Sequence, residues 1–194
     1  MTHSPFKLII SWVLVGIMFG AGPTQADDSH SDMMLVGEAL KAGMKAEADG
    51  DAKAMLNAAN RLTRLGAKPA AEQNDLAKLW QSKAISLGAH QPIKPVFRGR
   101  TLGPSYRQVS LSAEQSFMTE QSFNAGQKAS ISLIAPSSSK LTLAVTDSNG
   151  DEHCKRTLEQ NTMSCSWFPT WTDRLHILIS NQSKQSSQFV LLTN

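Results

Sequence analysis

The sequence predicts an α+β protein in two separate parts, a small helical bundle followed by an antiparallel β-sandwich. Two observations predict this. Apolar residues recur at three- and four-residue spacing between residues 31 and 88, and then at two-residue spacing from Val109 onward. Between the two regimes, residues 90–108 hold Pro92, Pro95, Gly99, Gly103 and Pro104, which preclude a long helix. The expected organisation is therefore a helical domain over 27–89, a basic Pro/Gly linker over 90–108, and a sandwich of about eight strands over 109–194.

Each helix has its own signals. The first is expected from Ser31 to about Asp49, with Val36, Leu40, Met44 and Ala48 on one stripe. Gly50-Asp51 ends it and starts the next. The second carries Ala52, Met55, Leu56, Ala59 and Leu62 on one face and closes at Gly66. The third is expected to start around Pro69, whose locked φ suits a first helical turn. It carries Leu76, Leu79, Trp80, Ala84 and Leu87 and ends at Gly88. Three such stripes bury one another, so Met33-Met34 and Trp80 read as core ahead of a ligand groove. The first pair also resembles one tetratricopeptide-type helical hairpin, through its Ala-rich packing positions and Gly-Asp turn. Such repeats need about three units to make a stable solenoid.

The linker contains Phe97, Leu102 and Tyr106, which are too apolar for a free tether, so it is expected to lie on the sandwich. Beyond it, Ala129, Ile131 and Leu133 alternate with serines. Leu141, Leu143 and Val145 alternate with Thr142, Ala144 and Thr146. Leu175, Ile177 and Ile179 follow the same rule, and Phe189 and Leu191 close the chain in the same way. Turn residues separate the runs at 124–126, 136–139, 149–150, 160–162 and 181–186. The midpoint of Cys154 and Cys165 falls between Glu159 and Gln160, inside one of those turns. The two cysteines are therefore expected opposite each other on one hairpin, joined by a disulfide.

The start of the chain reads as an export signal. Lys7 precedes the uncharged, mostly apolar run from Leu8 to Gly22, which is shorter than the ~20 residues a helix needs to span hydrocarbon. Pro23 breaks the run. Thr24 and Ala26 then supply small residues at the −3 and −1 positions, so cleavage is expected after Ala26. The expectation is a periplasmic or secreted protein with no stable membrane insertion after cleavage, in a compartment where a disulfide persists.

The net charge of +3 is unevenly placed. Residues 27–89 hold eight basic and nine acidic side chains, and residues 109–194 hold six and seven. The linker holds Lys94, Arg98, Arg100 and Arg107 with no acid. Four charges can meet a phosphate or an acidic surface but do not make a nucleic-acid face. A nucleic-acid partner is not expected.

The residues from Gln121 to Ala129, Leu141 to Gly150 ending in Asp-Ser-Asn-Gly, Cys154, Cys165-Ser166-Trp167-Phe168-Pro169, and Ile177 to Asn181 together resemble the bacterial pre-peptidase C-terminal domain. The segment Phe97 to Pro104 before it is similar to that of uncharacterised exported proteobacterial proteins. The resemblance implies a jelly-roll-like sandwich with an accessory or binding role, and it transfers no catalytic residue.

Asp147, Asn149 and Asp151 alternate as oxygen ligands for calcium do, but Gly150 stands fourth in that run, where an EF-hand loop needs its glycine sixth. Asn149-Gly150 between two strands reads first as a hairpin turn. His153, Asp151 and Asp173 are the only loosely grouped acid–base candidates, and His176 is alone on its strand; no known catalytic motif surrounds them. Trp167 shares a face with Cys165 and is expected to pack the core. Trp171, beyond Pro169, is the surface candidate, with Arg98 and Arg100 from the linker. The function expected is a non-catalytic exported accessory or binding protein with no cofactor, meeting an envelope protein or a glycan. The alternative is a calcium- or carbohydrate-binding module, and after that a hydrolase of unknown class.

Overall fold

The computed structural model describes residues 26–90 and 103–194. The expected signal segment before Ala26, and the linker residues Arg98 and Arg100, lie outside the described residues.

Helix α1 spans Ala26–Asp49 and α2 spans Ala52–Arg64. Gly50 turns the chain with φ +69°, a conformation that glycine adopts without steric cost. Asp51 then caps α2, its carboxylate accepting the Ala54 N–H at 2.9 Å. The third helix departs from expectation. Lys68–Pro69 is a short strand, β1, and α3 runs over Leu76–Ser86. Asp75 is its cap, accepting from Lys78 N–H at 3.2 Å. A capping carboxylate at 75 starts this helix better than a proline at 69, and the edge position of β1 tolerates a proline's missing N–H.

Eight longer strands follow: β2 Ser105–Leu111, β3 Ser116–Phe123, β4 Ala129–Ile134, β5 Leu141–Thr146, β6 Glu152–Thr157, β7 Thr162–Trp167, β8 Asp173–Asn181 and β9 Ser187–Thr193. They form two sheets, ordered β1-β2-β9-β4-β7 and β3-β8-β5-β6. All pairings are antiparallel except β1 with β2, whose parallel register needs α3 as its crossover. Strand β2 begins inside the stretch expected to be linker, and its Tyr106 is core. Alternate residues such as Ile131, Leu133, Leu143, Val145, Ile177 and Ile179 point between the sheets and are buried there.

The helices form a third layer on the outer face of the five-stranded sheet. Their core includes Val36, Leu40, Met55, Leu62 and Trp80, and it continues into Tyr106, Ile134, Val190 and Leu192 of the sheet. Gly37 lets α1 approach closely: a Cβ there would stand 3.4 Å from Ile134 Cδ1. This corrects the expected alternation in β9. Phe189 and Leu191 face the other sheet, while Val190 and Leu192 face the helices, so the strand is buried on both sides. A strand covered on two faces reads as a continuous apolar run.

The disulfide Cys154–Cys165 forms, with Cα atoms 6.1 Å apart, but not across a hairpin. Strand β6 is the edge of the four-stranded sheet and β7 the edge of the five-stranded sheet. Between the two cysteines the chain leaves one sheet for the other, so the bond staples the two layers along one side of the sandwich.

Candidate functional site

Strand register gathers three loops at one end of the sandwich. Phe123 at the end of β3 lies opposite Asp173 at the start of β8. Thr146 at the end of β5 lies opposite His176, and Ala129 at the start of β4 lies opposite Trp167 at the end of β7. The loops 124–128, 147–151 and 168–172 therefore share that end.

Loop 168–172 presents the two aromatic rings that stand out there, with Trp171 69% and Phe168 61% exposed. Its backbone is held in place. Gly126 N–H donates to the Pro169 carbonyl at 2.9 Å, and Ala125 N–H donates to Thr172 Oγ1 at 3.0 Å. Immediately before it, Trp167 packs edge-on to Phe123, ring centres 5.2 Å apart, and stacks with His153 at 6.1 Å. Two positions back lies the disulfide at Cys165. Trp167 thus packs as expected, and the exposed pair stands on a fixed base.

The 147–151 loop closes as a turn. Asp147 Oδ1 accepts from both Asn149 N–H and Asp151 N–H at 2.9 Å. The Asp151 N–H, with lesser help from Asn149, holds the Asp147 carboxyl below its ordinary pKa. Asp147 Oδ2 lies 3.7 Å from His153 Nε2, an ion pair when the imidazole is protonated. Asn149 and Asp151 therefore contribute their backbone N–H groups to the turn, as the hairpin reading expects. Among the described residues no three His, Cys, Asp or Glu side chains are grouped as metal ligands would be.

The other acid–base candidates do not converge. Asp147 is the carboxylate that meets His153, while Asp173 Oδ1 accepts the N–H of its own neighbour, Arg174, at 2.7 Å. His176 is on the outer face of the four-stranded sheet, 3.5 Å from Glu120, which Arg174 approaches at 3.4 Å. In the helical layer Met33 and Trp80 are buried and Met34 is exposed. Trp80 Nε1 donates to Glu47 Oε2 at 2.8 Å, and Lys83 meets the other oxygen at 2.8 Å. The Lys83 hydrogen bond, ahead of that from Trp80, holds the Glu47 carboxyl below its usual range.

Sequence reasoning missed the partnership of Phe123 and His153 with Trp167. The alternation of Phe117 with polar neighbours through Phe123 signals that strand, but the pairing depends on β3 and β7 lying in different sheets.

No protein-family model matches the chain, and no curated protein matches it. Among solved structures, the pre-peptidase C-terminal domain of a collagenase from Bacillus anthracis is similar at 8% identity and TM-score 0.42, over 46% of this chain and 87% of that one. The expected likeness of the C-terminal half to that domain accords with this. A Yersinia pseudotuberculosis-derived mitogen is similar at 11% identity and TM-score 0.37, over 47% and 85%. A carbohydrate-binding module from Cellvibrio mixtus lichenase 5A, solved with cellotriose, is similar at 10% identity and TM-score 0.31, over 46% and 86%.

Proposed function

We propose that this is a non-catalytic binding protein of the cell envelope, periplasmic or secreted, whose loop end takes a sugar ring of a glycan. The observation that carries the reading is the exposed pair Phe168 and Trp171 on a loop fixed by hydrogen bonds and an adjacent disulfide. Rigid aromatic faces lose little conformational entropy on binding and suit the apolar C–H face of a sugar. The disulfide supports an oxidising compartment. Among the described residues no helix is long and apolar enough to cross a membrane.

The test is thermal melting with soluble cello-, galacto- and chito-oligosaccharides at millimolar concentration. A ligand in excess of its Kd raises the melting temperature of the native state. The rise is expected in the natural chain and lost in Trp171→Ala, whose unliganded melting temperature stays unchanged because the side chain is exposed. No rise with any glycan, or an equal rise in Trp171→Ala, refutes the reading. If instead a protein partner is retained through the same two rings, the loop end is a docking surface for an envelope protein.

A further inference from the structure

We propose that the groove between the helical layer and the five-stranded sheet binds an extended, uncharged stretch of polypeptide. The groove encloses about 970 Å³, at the upper end of the range of roughly 300–1,000 Å³ common for ligand sites. It exists because the helices cover only part of the sheet. The row containing Tyr106 and Leu192 is buried beneath them. Two residues further along, on the same face, Gln108 and Val190 are paired, and two beyond them Ser110 and Gln188. Gln108, Ser110 and Gln188 are exposed on the face where α1 has lifted away.

The lining has one dominant chemistry. Gln73, Asn74, Gln108, Asn161 and Gln188 put five carboxamides around it, each offering both a donor and an acceptor. Met44, Ile134 and Val190 supply an aliphatic floor. The charged side chains on its helical wall already have partners. Lys41 meets Glu38 at 3.2 Å, Lys45 meets Asp49 at 2.7 Å, and Glu47 meets Lys83 at 2.8 Å. A ligand entering here finds hydrogen-bonding amides and apolar surface, beside charges already matched by opposite ones.

Peptide groups fit that lining, since a carboxamide repeats their donor and acceptor. One such pairing is already made on this wall. Strand β1 accompanies β2 only as far as Tyr106, and Ala70 N–H donates to the Tyr106 carbonyl at 2.8 Å. At the next position the Gln108 N–H donates to Gln73 Oε1 at 3.0 Å. A side-chain amide thus stands where a strand's carbonyl would stand, and β2 beyond it offers an edge of the kind that extended chains join. A sugar is disfavoured here, because among the described residues the aromatic side chain at the groove, Phe189, is 3% exposed and offers no free face.

The experiment titrates the isotope-labelled full chain with capped octapeptides that alternate Ser or Thr with Val, Leu, Met or Phe, and reads the side-chain amide resonances of Gln73, Gln108 and Gln188. Parallel titrations use peptides with Lys or Asp in the polar positions, and cellohexaose. Saturable shifts of those amides with the uncharged peptides are expected, at least tenfold weaker with the charged ones. Gln188→Trp, which fills the groove from an exposed position, and the double change Gln108→Ala with Gln188→Ala should each weaken binding at least tenfold. Trp171→Ala should leave it unchanged, which separates this site from the loop end. The proposal is overturned if millimolar peptides leave these amides unmoved, if binding survives both variants, or if cellohexaose gives the stronger response.

Discussion

Tyr106 is the one tyrosine of the chain and ties β2 to the helical layer. Its hydroxyl oxygen accepts the Leu76 N–H at 2.8 Å, at the first turn of α3. Burial pushes its pKa from 10.0 to about 12. The fold thus favours the neutral phenol, and the unfolded chain loses that proton first. The stabilisation is fully present below pH 10 and is lost as pH rises from 10 to about 12. Phenolate absorbance should therefore titrate near 12 in the native protein and near 10 in urea; equal midpoints would refute a buried phenol. Tyr106→Phe strands the Leu76 N–H and is expected to cost about 1–3 kcal/mol at neutral pH in urea unfolding. Gly43 is a second sensitive position. A Cβ there would overlap the Trp80 indole. Alanine's helix preference over glycine is worth about 1 kcal/mol, but overpacking costs about 1–3 kcal/mol. Gly43→Ala should therefore lower stability in urea, and a gain would show that Trp80 has room to move.

At the scale of elements, β6 is the strand most dependent on a covalent bond. Five of its six residues are exposed, and it pairs only with β5. The disulfide carries it to the opposite sheet. Replacing Cys154 and Cys165 by serine is expected to cost about 3 kcal/mol. Amide exchange should accelerate first in β6 and β7, leaving α1 and α2 protected; a uniform acceleration would mean that the bond acts on the unfolded chain alone. The helices show what local signals convey. Gly50-Asp51 and Gly66 mark their boundaries, as the residues predict, because caps act within one turn. Pro69 misled for a nonlocal reason: its place was decided by β2, whose pairing partner cannot be read from residues nearby.

For the whole molecule, the consequence is one shared core. Ile134, Val190 and Leu192 join the helical layer to the sheet. Calorimetry should therefore give a single unfolding transition, and Leu192→Ala should lower its midpoint, at a cost of about 2–5 kcal/mol, without splitting it. Two resolved transitions would make the bundle and the sandwich separate bodies. The candidate site was only partly legible. Trp171 stood out because a proline and a change of strand left it outside the alternation. The groove was not legible at all, since Gln73, Asn161 and Gln188 lie far apart in the chain and look like ordinary surface.

By itself the sequence determined the α+β layout, the caps of α2, the inward faces of most strands and the pairing of its two cysteines. Those features depend on period, on one turn of chain, or on there being only two thiols. Only the tertiary structure decided that the disulfide joins two sheets, that β9 is covered on both faces, and that the helices cover only part of the sheet's outer face and so leave a groove. Periodicity records which face of an element is apolar. What covers that face is set by pairings between residues distant in the chain, and no local pattern encodes them.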